Sequence, residues 1–211
     1  MSYDVELIRA DFPILERQVG EYPLAYLDSA NTSQKPRQVL DAMQRFYETT
    51  NANVARGVYA IAEEATNQME GARRAVARFI GAPSADEVVF TKNATEGLNL
   101  VAQSWGRANL REGDAVLLTQ LEHHANIVPW QQLCSERGAR LRVAPVDDRG
   151  QVILEEYEKL LGPRTKLVAF TQVSNALGTV TPAKAMIEMA HRHGALVMLD
   201  GAQSVSHKRV D

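Results

Sequence analysis

Four short polar clusters hold most of the residues in this chain that could do chemistry. They are Asn93–Ala94–Thr95–Glu96–Gly97, Glu122–His123–His124–Ala125–Asn126, Gln172–Val173–Ser174–Asn175 and Asp200–Gly201–Ala202–Gln203. Thr95 stands between a β-rich run and a helical stripe of Leu98, Val101, Ala102 and Trp105. Unpaired backbone N–H groups and the helix dipole favour an anion at such a junction. The Thr95 hydroxyl therefore suits a phosphate oxygen, and it suits equally a helix N-cap followed by the dipole-friendly Glu96. Asp200 ends the apolar run Leu196–Val197–Met198–Leu199. An ionised carboxylate there is costly unless paired, so it either faces a cation such as a protonated ring nitrogen or caps the turn before Gly201. His123 offers a flat ring for stacking, or an ordinary hydrogen-bonded loop histidine. His123 and His124, with His191 and His193, also invite a metal reading. His191 and His193 are two apart on a helical run and point to different faces, and no His-Glu-x-x-His pattern is present, so no metal is expected. His124, His191, His193 and His207 read as structural or surface residues.

Bringing four clusters together requires a frame, and the chain alternates short β-rich runs with amphipathic helical runs from Asp86 onward. Strands are predicted at Glu87–Thr91, Ala115–Thr119, Leu141–Pro145, Lys166–Thr171 and Ala195–Asp200. Helices between them are marked by Leu98, Val101, Ala102 and Trp105, by Ile127, Trp130 and Cys134 ahead of Gly138, and by Tyr157, Leu160 and Leu161 ahead of Gly162–Pro163. A last one starts near Pro182 and ends at Gly194. Val168–Ala169–Phe170 and Leu196–Val197–Met198–Leu199 are apolar without alternation, as strands buried on both faces must be. The expected fold class is α/β, a mostly parallel sheet with helices on both faces. In such open sheets ligands bind at the carboxyl ends of strands, where all four polar clusters fall.

The first 85 residues differ. Val39, Met43, Phe46 and Tyr47 make one helix face; Ala65, Met69, Ala72, Val76 and Phe79 make a longer one. The polar stretch Asn51–Gly57 between them, with Arg56, suggests a functional or interface loop. Residues 1–23 carry few core residues and are expected to dock on a small domain completed elsewhere, with 24–211 forming the large domain. No element follows Asp200, so the sheet is expected to be incomplete at its C-terminal side.

Bulk properties narrow the function. A net charge of −3 over 211 residues gives no reason to expect nucleic acid or an anionic membrane as partner. A single cysteine, Cys134, permits no internal disulfide and fits a reducing compartment. It sits on an apolar helix stripe, where a thiol is usually a small core residue. Met1 to Glu16 carries acids and no unbroken apolar run, so it does not read as a signal peptide. No stretch approaches the ~20 apolar residues of a spanning helix. A cytoplasmic protein is expected.

Taken in order, Phe90–Thr91–Lys92–Asn93–Ala94–Thr95–Glu96–Gly97, the run from Glu122 to Trp130, Val173–Ser174–Asn175–Ala176–Leu177–Gly178 and Asp200–Gly201–Ala202–Gln203 closely resemble motifs of the class V, fold-type I pyridoxal-phosphate (PLP) enzymes. The resemblance is to the cysteine desulfurases and selenocysteine lyases that serve the Suf iron–sulfur system. Ala10–Asp11–Phe12–Pro13, Tyr26–Leu27–Asp28–Ser29–Ala30 and Asn53–Val54–Ala55–Arg56–Gly57 match as well, so the likeness covers essentially the whole chain.

It implies PLP as cofactor and L-cysteine or L-selenocysteine as substrate. Ala94 and Thr95 would hold the phosphate, His123 would stack on the ring, Asp200 would pair with the ring nitrogen and Gln203 with the phenolic oxygen. Asn175 would lie near the ring oxygen or the substrate carboxylate, and Arg56 at the substrate entrance or a dimer interface. A homodimer and a SufE-like sulfur acceptor are further implications.

Two family parts lack a match. The Schiff-base lysine of the family follows a Ser-x-His motif on the next strand. Ser206–His207–Lys208 imitates that motif only 8 positions after Asp200, too few for a parallel crossover, so Lys208 reads as a solvent-facing loop lysine. The family's nucleophilic cysteine lies far downstream, and Cys134 is not its counterpart.

Overall fold

The computed structural model describes residues 3–209; the outermost residues of the two expected segments, 1–2 and 210–211, lie outside them. The chain forms two compact units, Met1–Val88 and Val89–Asp211. In the first, Asp4 caps α1 (Val5–Ala10) by accepting from the Leu7 N–H at 3.1 Å, and a 3₁₀ turn at Pro13–Glu16 follows. Neither buries a residue, in keeping with a segment poor in core side chains. A small antiparallel hairpin, β1 (Gln18–Val19) and β2 (Tyr22–Pro23), turns at Gly20 with φ 62°. Two-residue strands have no alternation to read, so the sequence gives no sign of them.

Helices α2 (Arg37–Thr49) and α3 (Ala60–Phe79) match the two expected apolar stripes. Only the small residues Ala62, Ala65 and Ala77 of α3 are buried; Met69 and Val76 are half-buried, and Phe79 is exposed. The polar loop between the helices is built rather than loose. Its Ala55 adopts φ 74°, the left-handed region that costs an L-residue strain, and donates its N–H to Thr66 Oγ1 on α3 at 3.0 Å.

The second unit is the expected α/β layer structure. In chain order it comprises α4 (Ala94–Val101), a π turn at Ala102–Gly106, α5 (Arg107–Asn109), β3 (Ala115–Thr119), a 3₁₀ turn at His124–Asn126, α6 (Val128–Arg137), β4 (Arg140–Ala144), α7 (Leu154–Leu160), β5 (Thr165–Thr171), α8 (Ala183–Arg192) and β6 (Leu196–Asp200). The strands lie in the order β4-β3-β5-β6, all parallel. Alternate residues face opposite layers. Leu117, Val168 and Phe170 pack with Tyr157 of α7 and Met186 and Ala190 of α8. Val116, Leu118, Leu167 and Ala169 pack with Ala102 and with Trp130, Leu133 and Cys134 of α6. Each fully buried large side chain among these contributes about 1.5–3 kcal/mol.

Gly138 closes α6 in the left-handed conformation at φ 66°, as its place in the sequence predicts. Gly106, at the end of the π turn, has a different role. A Cβ there would meet Leu133 Cδ2 at 2.6 Å and the Trp130 ring at 3.1 Å. Glycine lets the widened turn close on α6.

One expected strand is absent. Glu87–Thr91 forms no strand: a 3₁₀ turn at Ala85–Glu87 leads into extended chain whose Val89 and Phe90 are 66 % and 47 % exposed. A strand exists through its pairing, and no described strand lies alongside this segment, so its β-propensity has nothing to act on. The expected strands starting at Leu141, Lys166 and Ala195 differ from the observed ones by a residue, the usual uncertainty at an element's ends.

Candidate functional site

Because β3, β5 and β6 run parallel, the turns after Thr119, Thr171 and Asp200 emerge at one edge of the sheet. Helix α4 packs against the His124–Asn126 turn, which follows β3 at that edge. Asn93, not Thr95, is the N-cap of α4. Its side chain accepts from the Glu96 N–H at 2.9 Å, while Glu96 reaches back to the Lys92 N–H at 2.6 Å. These two bonds settle the two readings of Thr95 in one respect: the threonine is at the second helical position, exposed and not needed as cap. The Ala94 and Thr95 amides are first-turn donors with no carbonyl of their own helix to bond, which is the donor set an anion takes.

His123 is exposed and leads the 3₁₀ turn. Its Nδ1 accepts from the Ala125 N–H at 3.1 Å, which assigns the proton of the neutral ring to Nε2 and fixes the ring's orientation. The His124 ring stands edge-on to it, centroids 6.1 Å apart.

The preceding residue, Glu122, is turned inward and buried. Its carboxyl accepts from Thr119 Oγ1 at 2.6 Å and Asn126 Nδ2 at 2.7 Å, and from the Thr171 backbone N–H. Asn126 Oδ1 in turn accepts from the Trp130 indole N–H at 3.2 Å. Burial, with the nearby Asp200 carboxylate adding to it, pushes the Glu122 carboxyl up to about 7 against the pull of its hydrogen bonds. Sequence reading passed over this residue. Thr119, Glu122, Asn126 and Trp130 recur at steps of 3, 4 and 4, but the run crosses a strand end, a turn and a helix start, so the spacing states no common face.

Asp200, 9 % exposed, ends β6 in register with Thr171. Its Oδ1 accepts from the Ala202 N–H at 3.0 Å, and its backbone carbonyl accepts from the Gln172 N–H. The turn carrying Gln203, which is half-buried, is pinned by Ser204: fully buried, it donates to Gln172 Oε1 at 2.6 Å and so ties the end of β6 to that of β5. Asn175 is exposed on a tight turn after β5, where the buried Ser174 hydroxyl accepts from the Ala176 and Leu177 N–H groups. His123, Asn175, Asp200 and Gln203 thus belong to the carboxyl edge of one sheet, and Ala94 and Thr95 open the helix that packs on the His124–Asn126 turn there. Arg56 belongs to the first unit, exposed beside the strained Ala55.

Other side chains stay outside. Cys134 is buried in the α6 layer, and burial pushes its thiol up to about 11, the reverse of what a nucleophile needs. Lys208 is exposed on the turn after β6, its N–H bonded to the Ser204 carbonyl. A basic cleft with Arg111, Arg164 and Lys166 lies at the opposite, amino edge of the sheet, where Asp114 faces Arg164 at 3.6 Å. No helix among the described residues is long and apolar enough to cross a membrane.

The aminotransferase class-V family profile matches residues 25–211. A cysteine desulfurase of Synechococcus elongatus is 57 % identical over all 211 residues, which make up 34 % of that protein. One from Enterobacter sp. is 53 % identical over the whole chain, 52 % of its own length. Among solved structures, an apo cysteine desulfurase from Thermococcus onnurineus superposes with a TM-score of 0.90 at 38 % identity, covering 100 % of this chain and 50 % of that one. A mutant of the protein C-DES, with glycine covalently linked to its PLP cofactor, superposes at 0.78 with 26 % identity over 96 % of this chain and 51 % of its own. The chain spans about a third to a half of the length of these relatives. It belongs to the class-V aminotransferase family.

Proposed function

We propose that this chain supplies the cofactor-binding part of a PLP-dependent cysteine desulfurase, which converts L-cysteine to L-alanine and leaves the sulfur as an enzyme persulfide. The observation that carries the reading is the buried Asp200 carboxylate at the end of β6, on the same sheet edge as an exposed, orientationally fixed imidazole and a helix N-terminus with free donors. That set fits PLP. The Ala94 and Thr95 amides and the Thr95 hydroxyl would bind the phosphate, the His123 ring would offer a stacking surface to the pyridine, and Asp200 would hold the ring nitrogen protonated. A cation opposite Asp200 also offsets the cost of burying its charge. PLP supplies an electron sink for the bonds at the substrate's Cα. Gln203 donates to the phenolic oxygen and Asn175 to that oxygen or the substrate carboxylate, so both orient rather than react.

Arg56, on its strained loop, serves the substrate entrance or a dimer interface. Residues 1–23 dock on a small domain formed by other parts of the protein. A homodimer, a SufE-like acceptor for the persulfide sulfur and a cytoplasmic location complete the proposal. It is tested by adding PLP and L-cysteine to the protein at its encoded length. Alanine and persulfide forming in equal amounts, with most of the turnover lost in Asp200→Asn, is the expected result. Absence of PLP binding, or full turnover in Asp200→Asn, overturns it.

A further inference from the structure

A glutamate on a turn between a strand and a helix would ordinarily point to water, and Glu122 does not. It is 8 % exposed, with both carboxylate oxygens engaged by side chains that are themselves buried: Thr119 at 1 % exposure and Asn126 at 0 %. A carboxyl is costly to bury even when hydrogen-bonded, so the position of these contacts matters. Thr119 is the last residue of β3, Asn126 the last of the 3₁₀ turn, and Thr171, whose N–H also reaches the carboxyl, the last of β5. Thr171 is the register partner of Asp200 on β6. One carboxyl thus joins the turn that carries His123 to the end of β5, the strand paired with the one that holds Asp200. Trp130, at 0 % exposure, locks the far side by bonding Asn126, and the Thr119 hydroxyl also accepts from the Leu121 N–H at 3.1 Å. The only charged group acting on Glu122 among the described residues is Asp200.

We infer that Glu122 is a positioning residue: by bridging Thr119, Asn126 and the Thr171 amide, it sets the His123 ring relative to the Asp200 carboxylate and so fixes the plane in which a cofactor ring is held. The inference rests on the reading of His123 and Asp200 given above. Preorganised support of this kind governs how tightly and in what tilt a planar ligand sits, whereas a purely structural network would affect only folding.

The protein at its encoded length, titrated with PLP, separates the two. Glu122→Ala is expected to raise the Kd for PLP roughly tenfold, the worth of one buried hydrogen bond to a charged group, and to reduce the visible circular dichroism of the bound cofactor. Glu122→Gln keeps the shape, accepts from Asn126 through its amide oxygen and donates its NH2 to a turned Thr119 hydroxyl, and is expected to restore both to within about twofold of wild type. Tyr157→Phe, which removes a buried bond to the Met186 carbonyl in the other core layer, is expected to lower stability and leave both readouts unchanged. Wild-type Kd and dichroism in Glu122→Ala overturn the inference, as does equal damage in Glu122→Gln or in Tyr157→Phe. Should Glu122→Ala fail to fold, Thr119→Val removes one bond to the carboxyl together with the one from the Leu121 N–H: a weakened dichroism supports the inference and an unchanged one overturns it. Failure of the wild type to bind PLP overturns the proposed function instead.

Discussion

Burying Glu122 has a measurable consequence for stability against pH. Its carboxyl moves from an ordinary 4.5 to about 7 in the folded protein, chiefly because burial disfavours the charged form. The unfolded chain therefore releases this proton about 2.5 units earlier than the folded one. Stability from the protonated carboxyl is complete below pH 4.5, declines as the pH rises toward 7, and is flat above it. At 1.36 kcal/mol per unit the loss amounts to about 3 kcal/mol, or roughly 6–12 °C in Tm for a domain of this size. Glu122→Gln carries the same shape with no proton to lose. In the apoprotein its Tm, followed by thermal melts at intervals from pH 4.5 to 8, is expected to gain on the wild type as the pH rises to 7 and then run parallel. A Tm difference that stays constant across that range would refute the burial argument. One that shrinks with rising pH would reverse its sign and show the carboxylate to be stabilised.

Gly106→Ala places a methyl group against Leu133 and Trp130, both fully buried; overpacking there is expected to cost about 1–3 kcal/mol in urea unfolding. Ser204→Ala removes the bond to Gln172 Oε1 that ties the ends of β5 and β6, with an expected loss of about 1 kcal/mol and a weaker affinity for PLP, measured by fluorescence titration. Cys134 is expected to resist iodoacetamide at pH 8 in the native protein and to react in urea, as read by intact mass, because its thiol is both buried and pushed up to about 11.

Much of the second unit was legible because its signals are local and repeated. Unbroken apolar runs such as Val168–Phe170 state burial on both faces, and glycines at 138 and 194 state where helices stop. The candidate site followed from topology for three clusters: once the strands were parallel, those at His123, Asn175 and Asp200 had to share an edge, whereas Thr95 follows no described strand and is placed by the packing of α4 on the His124–Asn126 turn. What escaped depended on pairing or on side-chain direction. Glu87–Thr91 has strand composition but pairs with no described strand. Asn93 rather than Thr95 is the cap because its side chain takes the Glu96 amide while Glu96 takes the Lys92 amide just before it. Glu122 reads as a surface acid in one dimension, and only the fold shows that the ends of β3 and β5 turn it inward. The π turn at Ala102–Gly106 leaves no trace beyond the glycine it needs.

The account stands most directly on the pairing of Asp200 with a cationic ring nitrogen. It is tested by ¹⁵N NMR of the protein at its encoded length, loaded with PLP labelled at the pyridine nitrogen, beside the same preparation of Asp200→Asn. The wild type is expected to show a protonated pyridine nitrogen from pH 6 to 9, and Asp200→Asn a neutral one, with the cofactor bound in both. An unprotonated nitrogen in the wild type, or the same protonated signal in the variant, would contradict the account.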